Sequence, residues 1–329
     1  MRKTSKFVLG ALAALSLSAS AWSAEFTMRL SHQYPPAHQV AKALEQFAAD
    51  VKSNTGGKVE VQLFGAEQLF KANQNHAAVA RGQVDAAAIL NFQWGATIPE
   101  MSVTAIPFLI SHAEQLKKFP TSDAAKLLNQ KIEDKGVKNI AWLVDANDGI
   151  FTSAKSLLVK PEDFKGVKIR GLNKLFDAGL LAMGASPAAM PGSEVYQALQ
   201  TGVIDAGFTG VGAAYSRRYY EVQKYGAASA IITAYSNLVV NPAWWDKLPA
   251  DARAGVLAAA HKAEATLLPT SDEVSPEDIK RLRDKGMNVV VLTREQEKTL
   301  AAAMQPAVVK AFSDASPDAP KLIEMVKKL

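Results

Sequence analysis

The stretch that decides the fold reads PEDFKGVKIRG at residues 161–171, SPAAMPGSEVYQALQTGVIDAGF at residues 186–208 and YYEVQKY at residues 219–225. The first segment predicts a short buried strand over Gly166–Arg170, because its apolar residues alternate and turn glycines stand on either side. A helix over Phe176–Met183 is expected next, since apolar and small residues recur there at helical spacing. A strand followed by such a helix is typical of an α/β fold.

The predicted strand ends at Arg170. A guanidinium at the mouth of a strand suits capture of a carboxylate or a phosphate, because it donates two parallel hydrogen bonds. The alternative is a surface arginine in a salt bridge, which is the more common arrangement. Other segments of the sequence are therefore needed to distinguish an anion-binding arginine from a surface salt bridge.

Outward from this stretch, strands and helices alternate along the chain. Strands are predicted at Phe26–Leu30, Val59–Phe64, Ala86–Leu90, Asn139–Val144 and Ile204–Phe208. Further helices are predicted near His38–Ser53, Lys71–Arg81 and Ser193–Thr201. This order predicts parallel strands joined by right-handed crossovers, with a ligand cleft at the carboxyl ends of the strands.

The first 24 residues have the composition of a secretory leader. Arg2, Lys3 and Lys6 precede the apolar run Phe7–Leu17, and small residues follow it. Cleavage after Ala21 fits the small-residue rule, whereas cleavage after Ala24 places the first strand at the new terminus; both alternatives stay open. No later segment reaches 18 apolar residues, so we expect a soluble, exported, periplasmic protein.

Charge and composition argue against several function classes. The 329-residue chain has a formal net charge of +5, but without the leader 34 basic residues face 32 acidic ones, a net charge of +2. Basic and acidic residues are interspersed, so nucleic-acid binding is not expected. The chain has no cysteine, which excludes disulfides, thiol catalysis and cysteine metal sites. Its five histidines are scattered, and we expect neither a metal nor a cofactor.

An exported enzyme is the first rival hypothesis. The sequence has no H-E-x-x-H, G-x-S-x-G or P-loop motif. A binding protein is therefore favoured over an enzyme.

The stretch 161–225 resembles the solute-binding proteins of TRAP (tripartite ATP-independent periplasmic) transporters. Family segments of the forms "peDlkGlKiR", "mp-SEvYqALqtGviDg" and "yyEvqky" are similar to Pro161–Arg170, Met190–Ala206 and Tyr219–Tyr225. Further similar segments are Met28–Leu69, Ile106–Ile110 and Asn241–Pro249. The resemblance implies a two-lobed α/β clamp that binds a small organic acid and delivers it to the membrane subunits of a transporter; we expect a monomer.

The resemblance also implies a long helix that bridges the lobes within Ala250–Lys285. Pro269 and Pro276 interrupt this segment, and proline in a helix interior costs about 3 kcal/mol. We therefore predict a kinked bridging helix, with a kink or a break between Leu267 and Pro276; a new helix would have Ser275 as its N-cap and Pro276 at its first position. We expect residues 25–147 and 237–275 to form lobe 1, and residues 148–236 and 276–329 to form lobe 2.

The family resemblance makes Arg170 the clamp for the ligand carboxylate. The other candidate ligand-binding residues follow the ends of predicted strands or replace a family glycine: His32, Gln33, Phe70, Asn91, Phe92, Trp94, Asn147, Asp148, Phe208 and Thr209. For several of these a structural role is the alternative. Phe92 and Trp94 could be core residues, His32 could serve a structural hydrogen bond, and Asp148 could cap a turn.

Departures from the family pattern shape the ligand hypothesis. Ile150 stands where many members have a second arginine, Thr209 stands where many have an asparagine turn, and Gly192 replaces a bulky residue. These changes predict two missing polar anchors and open space at Gly192. We therefore expect a monocarboxylate with an apolar or aromatic body, rather than a sugar acid or a C4-dicarboxylate. A periplasmic receptor that serves a sensor or another transporter class is the remaining alternative.

Overall fold

The computed structural model describes residues 24–269 and 272–329 and shows two mixed β-sheets with helices packed around them. The predicted leader lies outside the described residues, except for Ala24 at its end. We use lobe 1 for the part built on the first sheet and lobe 2 for the part built on the second.

The strands, in chain order, are β1 (Phe26–His32), β2 (Val59–Phe64), β3 (Ala86–Leu90), β4 (Lys138–Ala146), β5 (Gly149–Ser153), β6 (Lys168–Gly171), β7 (Ser186–Ala189), β8 (Ala206–Thr209), β9 (Tyr225–Ser229), β10 (Ala234–Val240) and β11 (Asn288–Val291). The first sheet has the order β2-β1-β3-β10-β4, and the second has the order β11-β9-β5-β8-β6-β7.

The helices are α1 (Gln39–Asn54), α2 (Asn75–Ala80), α3 (Ala113–Lys118), α4 (Asp123–Glu133), α5 (Lys174–Ala182), α6 (Gly192–Gln200), α7 (Val211–Ser216), α8 (Pro242–Lys247), α9 (Ala250–Thr266), α10 (Pro276–Asp284), α11 (Arg294–Ala315) and α12 (Ala319–Lys327). None of the described helices is long and apolar enough to cross a membrane.

The predicted parallel arrangement holds for only part of each sheet. Strands β1, β2 and β3 are parallel, but β10 runs antiparallel to both β3 and β4. In the second sheet β5 runs antiparallel to β8 and β9. These two strands lie in the sheet of one lobe directly after the chain has crossed from the other. The predicted parallel arrangement therefore fails at β5 and β10, since a strand that enters from the opposite lobe arrives from the cleft side.

The chain crosses between the sheets at residues 147–148, which join β4 to β5, and at residues 230–233, which join β9 to β10. The first sheet thus contains segments 26–146 and 234–240, and the second contains segments 149–229 and 288–291. The residue limits of the two lobes stay a prediction.

The predicted break after α9 is confirmed. Helix α9 ends at Thr266, and α10 starts at Pro276 with the Ser275 hydroxyl accepting a hydrogen bond from Asp278 N. Helix α9 packs on α1 and β4 in lobe 1, whereas α10 packs on α7 and β11 in lobe 2. This segment therefore bridges the lobes as two helices rather than one.

Helix α11 also joins the two lobes. Its Leu300 and Met304 are buried in the core of lobe 2, while Val308 and Phe312 are buried in the core of lobe 1. Gln305 Nε2 donates to Pro107 O at 2.6 Å. The strand ends of the two sheets consequently face each other across a narrow cleft.

Candidate ligand-binding site

A small cavity of about 20 Å³ lies between the two sheets, and we call it the central cavity. Its polar lining consists of Gln33, Asp145, Arg170, Thr209 and Arg217. Its apolar lining includes Leu90, Phe92, Leu172, Ile232 and Ala234. Both lobes contribute, since the first two polar residues lie in lobe 1 and the others lie in lobe 2. The volume corresponds to about one water molecule, so a larger molecule has to enter by separation of the lobes.

Arg170 lies in β6, is 2 % exposed and is held by backbone carbonyls. Its Nη1 donates to Phe208 O at 2.6 Å, and Nε and Nη2 both donate to Met190 O, at 3.3 and 3.2 Å. A guanidinium has five N–H groups, so one N–H on each terminal nitrogen is left. Two such groups are what a carboxylate needs for paired hydrogen bonds.

The local sequence explains the placement of this arginine. The Asp163 carboxylate accepts hydrogen bonds from Val159 N and Lys160 N and closes the turn before β6. Gly166 adopts a φ of +74°, which a residue with a side chain rarely tolerates. Beyond β6, Asn173 caps α5 by accepting hydrogen bonds from the first helical N–H groups. Strand β6 is thus fixed at both ends, and Arg170 is held at the cavity.

Burial dominates the electrostatics around Arg170. It lowers the pKa of the arginine to about 10, which leaves the guanidinium charged at neutral pH. Burial also raises the pKa of Asp177 to about 7, although Arg170 opposes the shift. The carboxylate of Asp177 accepts a hydrogen bond from Leu172 N at 3.1 Å. Among the described residues no carboxylate forms an ion pair with Arg170, so its charge is open to a ligand.

Arg217 is a second cation at the central cavity, and the sequence analysis did not find it. It directly follows α7, and among the described residues it forms no ion pair. A Cβ on Gly192 would lie only 2.5 Å from Arg217 Cζ. The prediction of open space at Gly192 was therefore wrong, because the guanidinium of Arg217 occupies it. The inference that no second cationic anchor exists is corrected by the same contact.

The positive charge of Arg217 acts on groups from both lobes. It opposes the shift that burial causes in the pKa of Asp145, and it adds to the lowering of the pKa of His38, for which burial is the largest cause. In lobe 2 it adds to the lowering of the pKa of Arg170, again after burial. Arg217 therefore lies at the meeting point of the lobes.

Asp145 near the end of β4 is the second residue that the sequence analysis did not find. Burial raises the pKa of this carboxyl to about 6, against the opposing effects of the Arg217 charge and a hydrogen bond from Tyr34. The Tyr34 hydroxyl also forms a hydrogen bond with Ser236 Oγ. Oxygen Oδ2 of Asp145 is buried and has no hydrogen-bond partner in the described part of the chain.

Gln33, a predicted candidate, lies at the central cavity with an unused amide. It is 4 % exposed, and neither Nε2 nor Oε1 has a hydrogen-bond partner among the residues described. His32 next to it is structural: its Nδ1 accepts from Tyr34 N at 3.2 Å, and burial lowers its pKa to about 4. Buried polar atoms without partners occur elsewhere, as in Asn237, but that residue does not line the central cavity.

The candidates that follow β3 are placed differently from one another. Phe92 lines the central cavity, whereas Trp94 is fully buried in the core of lobe 1. Asn91 is fully buried and uses its whole amide: Nδ2 donates to Met101 O and Thr104 Oγ1, and Oδ1 accepts from Tyr235 N. The structure does not bring Asn91 or Trp94 to the central cavity.

The remaining candidates divide in the same way. Thr209 lines the central cavity, but the Phe208 ring packs against Phe151 and Phe176, and only its carbonyl reaches Arg170. Phe70 packs against the core of lobe 1. Asn147 and Asp148 line a different groove. In Asp148, Oδ1 accepts a hydrogen bond from Val211 N at 2.9 Å.

The described structure also contains two larger grooves. One has a volume of about 810 Å³, contains Asn147 and Asp148, and shares Asp145 with the central cavity. The other, about 650 Å³, is lined by parts of α10 and α11. Both exceed the central cavity in size, but only the central cavity combines a buried arginine with polar atoms that lack partners. No cluster of histidine and acidic side chains within residues 24–269 and 272–329 has an arrangement suited to a metal ion.

The two missed residues were hard to find for identifiable reasons. Candidates were sought at strand ends, and Arg217 instead follows a helix. Asp145 directly follows the predicted strand, but Asn147 and Asp148, two and three residues further on, were expected to reach the cleft in its place. One signal was available: Arg217 stands two residues before the family-like segment Tyr219–Tyr225.

Comparison with known families agrees with this geometry. A model of the family described as bacterial extracellular solute-binding protein, family 7, matches residues 30–314. The C4-dicarboxylate-binding periplasmic protein DctP of Rhodobacter capsulatus is 30% identical over 286 residues, which cover 85% of each chain.

Solved structures give the same result. An extracytoplasmic solute receptor of Bordetella pertussis that binds pyroglutamic acid is 26% identical, with a TM-score of 0.83 over 92% of this chain and 99% of that one. A TRAP periplasmic solute-binding protein of Rhodoferax ferrireducens with bound malonate is 25% identical, with a TM-score of 0.85 over 92% and 97% of the two chains. These neighbours confirm the predicted two-lobed α/β fold.

Proposed function

The chain belongs to the bacterial extracellular solute-binding proteins of family 7, and from that membership we propose that Arg170 is its clamp for the carboxylate of a small organic acid. The family comprises TRAP transporter proteins that bind organic acids outside the cytoplasm. We propose further that the ligand is a monocarboxylate and that the loaded protein delivers it to membrane subunits.

One observation supports the clamp assignment. The buried guanidinium of Arg170 lines the central cavity, is fixed by two backbone carbonyls, and keeps one unused N–H on each terminal nitrogen. Fixing the guanidinium before binding reduces the entropy lost when the ligand arrives. A buried arginine without an ion pair destabilises the protein, because its charge is poorly solvated away from water. An anion next to the guanidinium removes this cost. The carboxylate of a ligand supplies that anion.

The charges at the central cavity favour one carboxylate rather than two. Arg170 and Arg217 are positive, and Asp145 is negative above its pKa of about 6. These three side chains together carry a net charge of +1, which a single carboxylate on the ligand balances. The relatives named above bind a C4-dicarboxylate, malonate or pyroglutamic acid, and all of these carry at least one carboxylate.

The apolar lining supports a small apolar body on the ligand. Leu90, Leu172 and Ile232 form it together with Phe92, the one aromatic ring at the central cavity among the described residues. An aliphatic body matches this surface better than the large aromatic body that the sequence also allowed.

Binding would proceed by opening and closing of the lobes. In the open form the acid meets Arg170 and Thr209 on lobe 2. Closure then brings Gln33 and Asp145 of lobe 1 onto it, so the ligand shifts the population toward the closed form.

A thermal-shift screen of the protein without residues 1–24 tests this proposal. A ligand that binds the folded state raises the melting temperature in proportion to RT ln(1 + [L]/Kd). We expect stabilisation by a small monocarboxylate and none by its amide or methyl ester. Stronger stabilisation by succinate or a hexuronate than by any monocarboxylate would contradict the monocarboxylate assignment. Stabilisation by uncharged solutes alone would contradict the clamp itself.

A further inference from the structure

We infer that the acid bound in the central cavity carries an O–H or N–H donor close to its carboxylate, and that Asp145 Oδ2 accepts a hydrogen bond from this donor. The inference rests on the proposed function and narrows its ligand class to 2-hydroxy acids and to acids with an N–H beside the carboxylate, such as lactam acids.

The Asp145 carboxylate has room for a hydrogen-bond donor. An ionised carboxylate only accepts hydrogen bonds, and its two oxygens offer about four positions. Of these, the positions on Oδ2 are buried with no partner among the described residues. Arg217 is near enough to affect its pKa but forms no ion pair with it in the described structure. A donor from the ligand therefore completes the carboxylate.

Gln33, which lines the central cavity from the same lobe, has an unused amide. Its Nε2 donates and its Oε1 accepts, and neither has a partner within the described ranges. Burying such a group unpaired costs about as much as a lost hydrogen bond. A ligand that presents a donor and an acceptor side by side, as a hydroxyl next to a carboxylate or a lactam does, satisfies the amide and Asp145 together.

The same wall disfavours a second carboxylate. An oxygen of a second acid group placed at Asp145 would meet a like charge and no donor from that side chain. Lobe 1 therefore selects for a donor, while lobe 2 selects for the carboxylate through Arg170.

Matched pairs of acids test this inference by isothermal titration calorimetry. In one pair, 2-hydroxy-3-methylbutanoate is compared with 3-methylbutanoate; in the other, pyroglutamate is compared with cyclopentanecarboxylate. The members of each pair share a carboxylate and a similar body and differ mainly in the donor. We expect at least one donor-bearing acid to bind about 10-fold or more tightly than its partner, the effect of a hydrogen bond to a charged acceptor.

The variant Asp145→Asn connects the difference to this side chain. It keeps the shape but loses the charge, and we expect it to reduce the ratio within the pair to about threefold or less, through weaker binding of the donor-bearing acid. Asp85→Asn is the matched control, because Asp85 precedes β3 at the far end of the same sheet and pairs with Arg29. It should leave the ratio unchanged. If Asp145→Asn does not fold, the ligand pairs on the unchanged protein still decide.

The outcomes separate the inference from the proposed function. Equal binding within both pairs, or a ratio that Asp145→Asn does not change, overturns the inference and leaves the carboxylate clamp standing. If no organic acid in the thermal-shift screen binds, the proposed function fails and this inference fails with it.

Discussion

Two neighbouring regions of lobe 1 bury the same kind of side chain and use it differently. At the end of β3, the side-chain amide of Asn91 forms hydrogen bonds with Met101, Thr104 and Tyr235 through both its nitrogen and its oxygen. Just beyond the end of β1 in the same sheet, Gln33 is equally buried, yet neither of its amide atoms has a partner in the described structure. The first amide holds a loop to the sheet, whereas the second faces the central cavity.

The difference shows that a polar residue at the end of a strand is not by itself a binding residue. Such a residue is structural when the protein satisfies all of its hydrogen bonds, since removal then leaves several buried groups unpaired. It is available to a ligand when the protein leaves it unpaired and it lines a cavity. Arg170 combines both conditions, because carbonyls fix it and part of its guanidinium stays unused.

The largest expected effect on ligand binding comes from removing Arg170 at the central cavity. Arg170→Ala should weaken ligand binding at least about 100-fold, because a buried, charge-assisted pair of hydrogen bonds is lost. Titration calorimetry with the best acid from the screen measures this loss. Arg170→Lys should weaken binding less than Arg170→Ala does, since the charge remains but the planar fork of the guanidinium is lost. Near-normal affinity in folded Arg170→Ala, with the fold checked by circular dichroism, would remove Arg170 from the site.

On the β3 side, the expected effect is on stability instead. Asn91→Ala should lower the free energy of unfolding by about 3 kcal/mol, because three buried groups lose their partner. Urea denaturation of the ligand-free protein measures this change. The folded variant should bind ligand within about twofold of the unchanged protein. A large loss of affinity with little loss of stability would erase the distinction between the two regions.

Gln33→Leu should lower the affinity for the ligand and leave stability unchanged, the opposite of Asn91→Ala. We expect affinity to fall about 10-fold, because the ligand loses an amide partner, while the melting temperature without ligand stays the same or rises. Calorimetry and thermal melts of the same preparation give both values. Unchanged affinity together with a lowered melting temperature would make Gln33 a structural residue like Asn91.

The last expected effect is a pH dependence of stability and concerns Asp148, a buried carboxyl with one oxygen bonded to Val211 N. Burial raises its pKa to about 7, above its ordinary value of about 4 in the unfolded chain. The native state then binds the proton more tightly, so this group makes the protein less stable as pH rises from about 4 to about 7. At pH 8 the whole pKa difference of about 3 units applies, so Asp148→Asn should gain up to about 4 kcal/mol of stability there and almost none at pH 4. Equal changes at both pH values, measured by urea denaturation, would place the carboxyl outside this environment.

Much of the fold could be predicted from the sequence, because local patterns carry it. Strands β2 and β3 have the predicted bounds, and the helix break at Pro276 follows from the geometry of proline. The antiparallel strands β5 and β10 could not be predicted in this way. Their direction depends on where the chain crosses between the lobes, and no local pattern records that.

The site was predictable in part for the same reason. Arg170, Gln33 and Thr209 were found because they follow strand patterns, and the family resemblance singled out Arg170. Arg217 was missed because it reaches the cavity from the end of a helix through a gap that Gly192 leaves. Whether an amide is satisfied, as in Asn91, depends on partners far along the chain, which the sequence alone does not reveal.

The most direct test of the central claim is a crystal structure of the protein with the best acid from the screen. We predict the ligand carboxylate at the central cavity, with both oxygens within about 3.2 Å of the terminal nitrogens of Arg170. A ligand bound in either larger groove, or in the cleft without contact to Arg170, would contradict it.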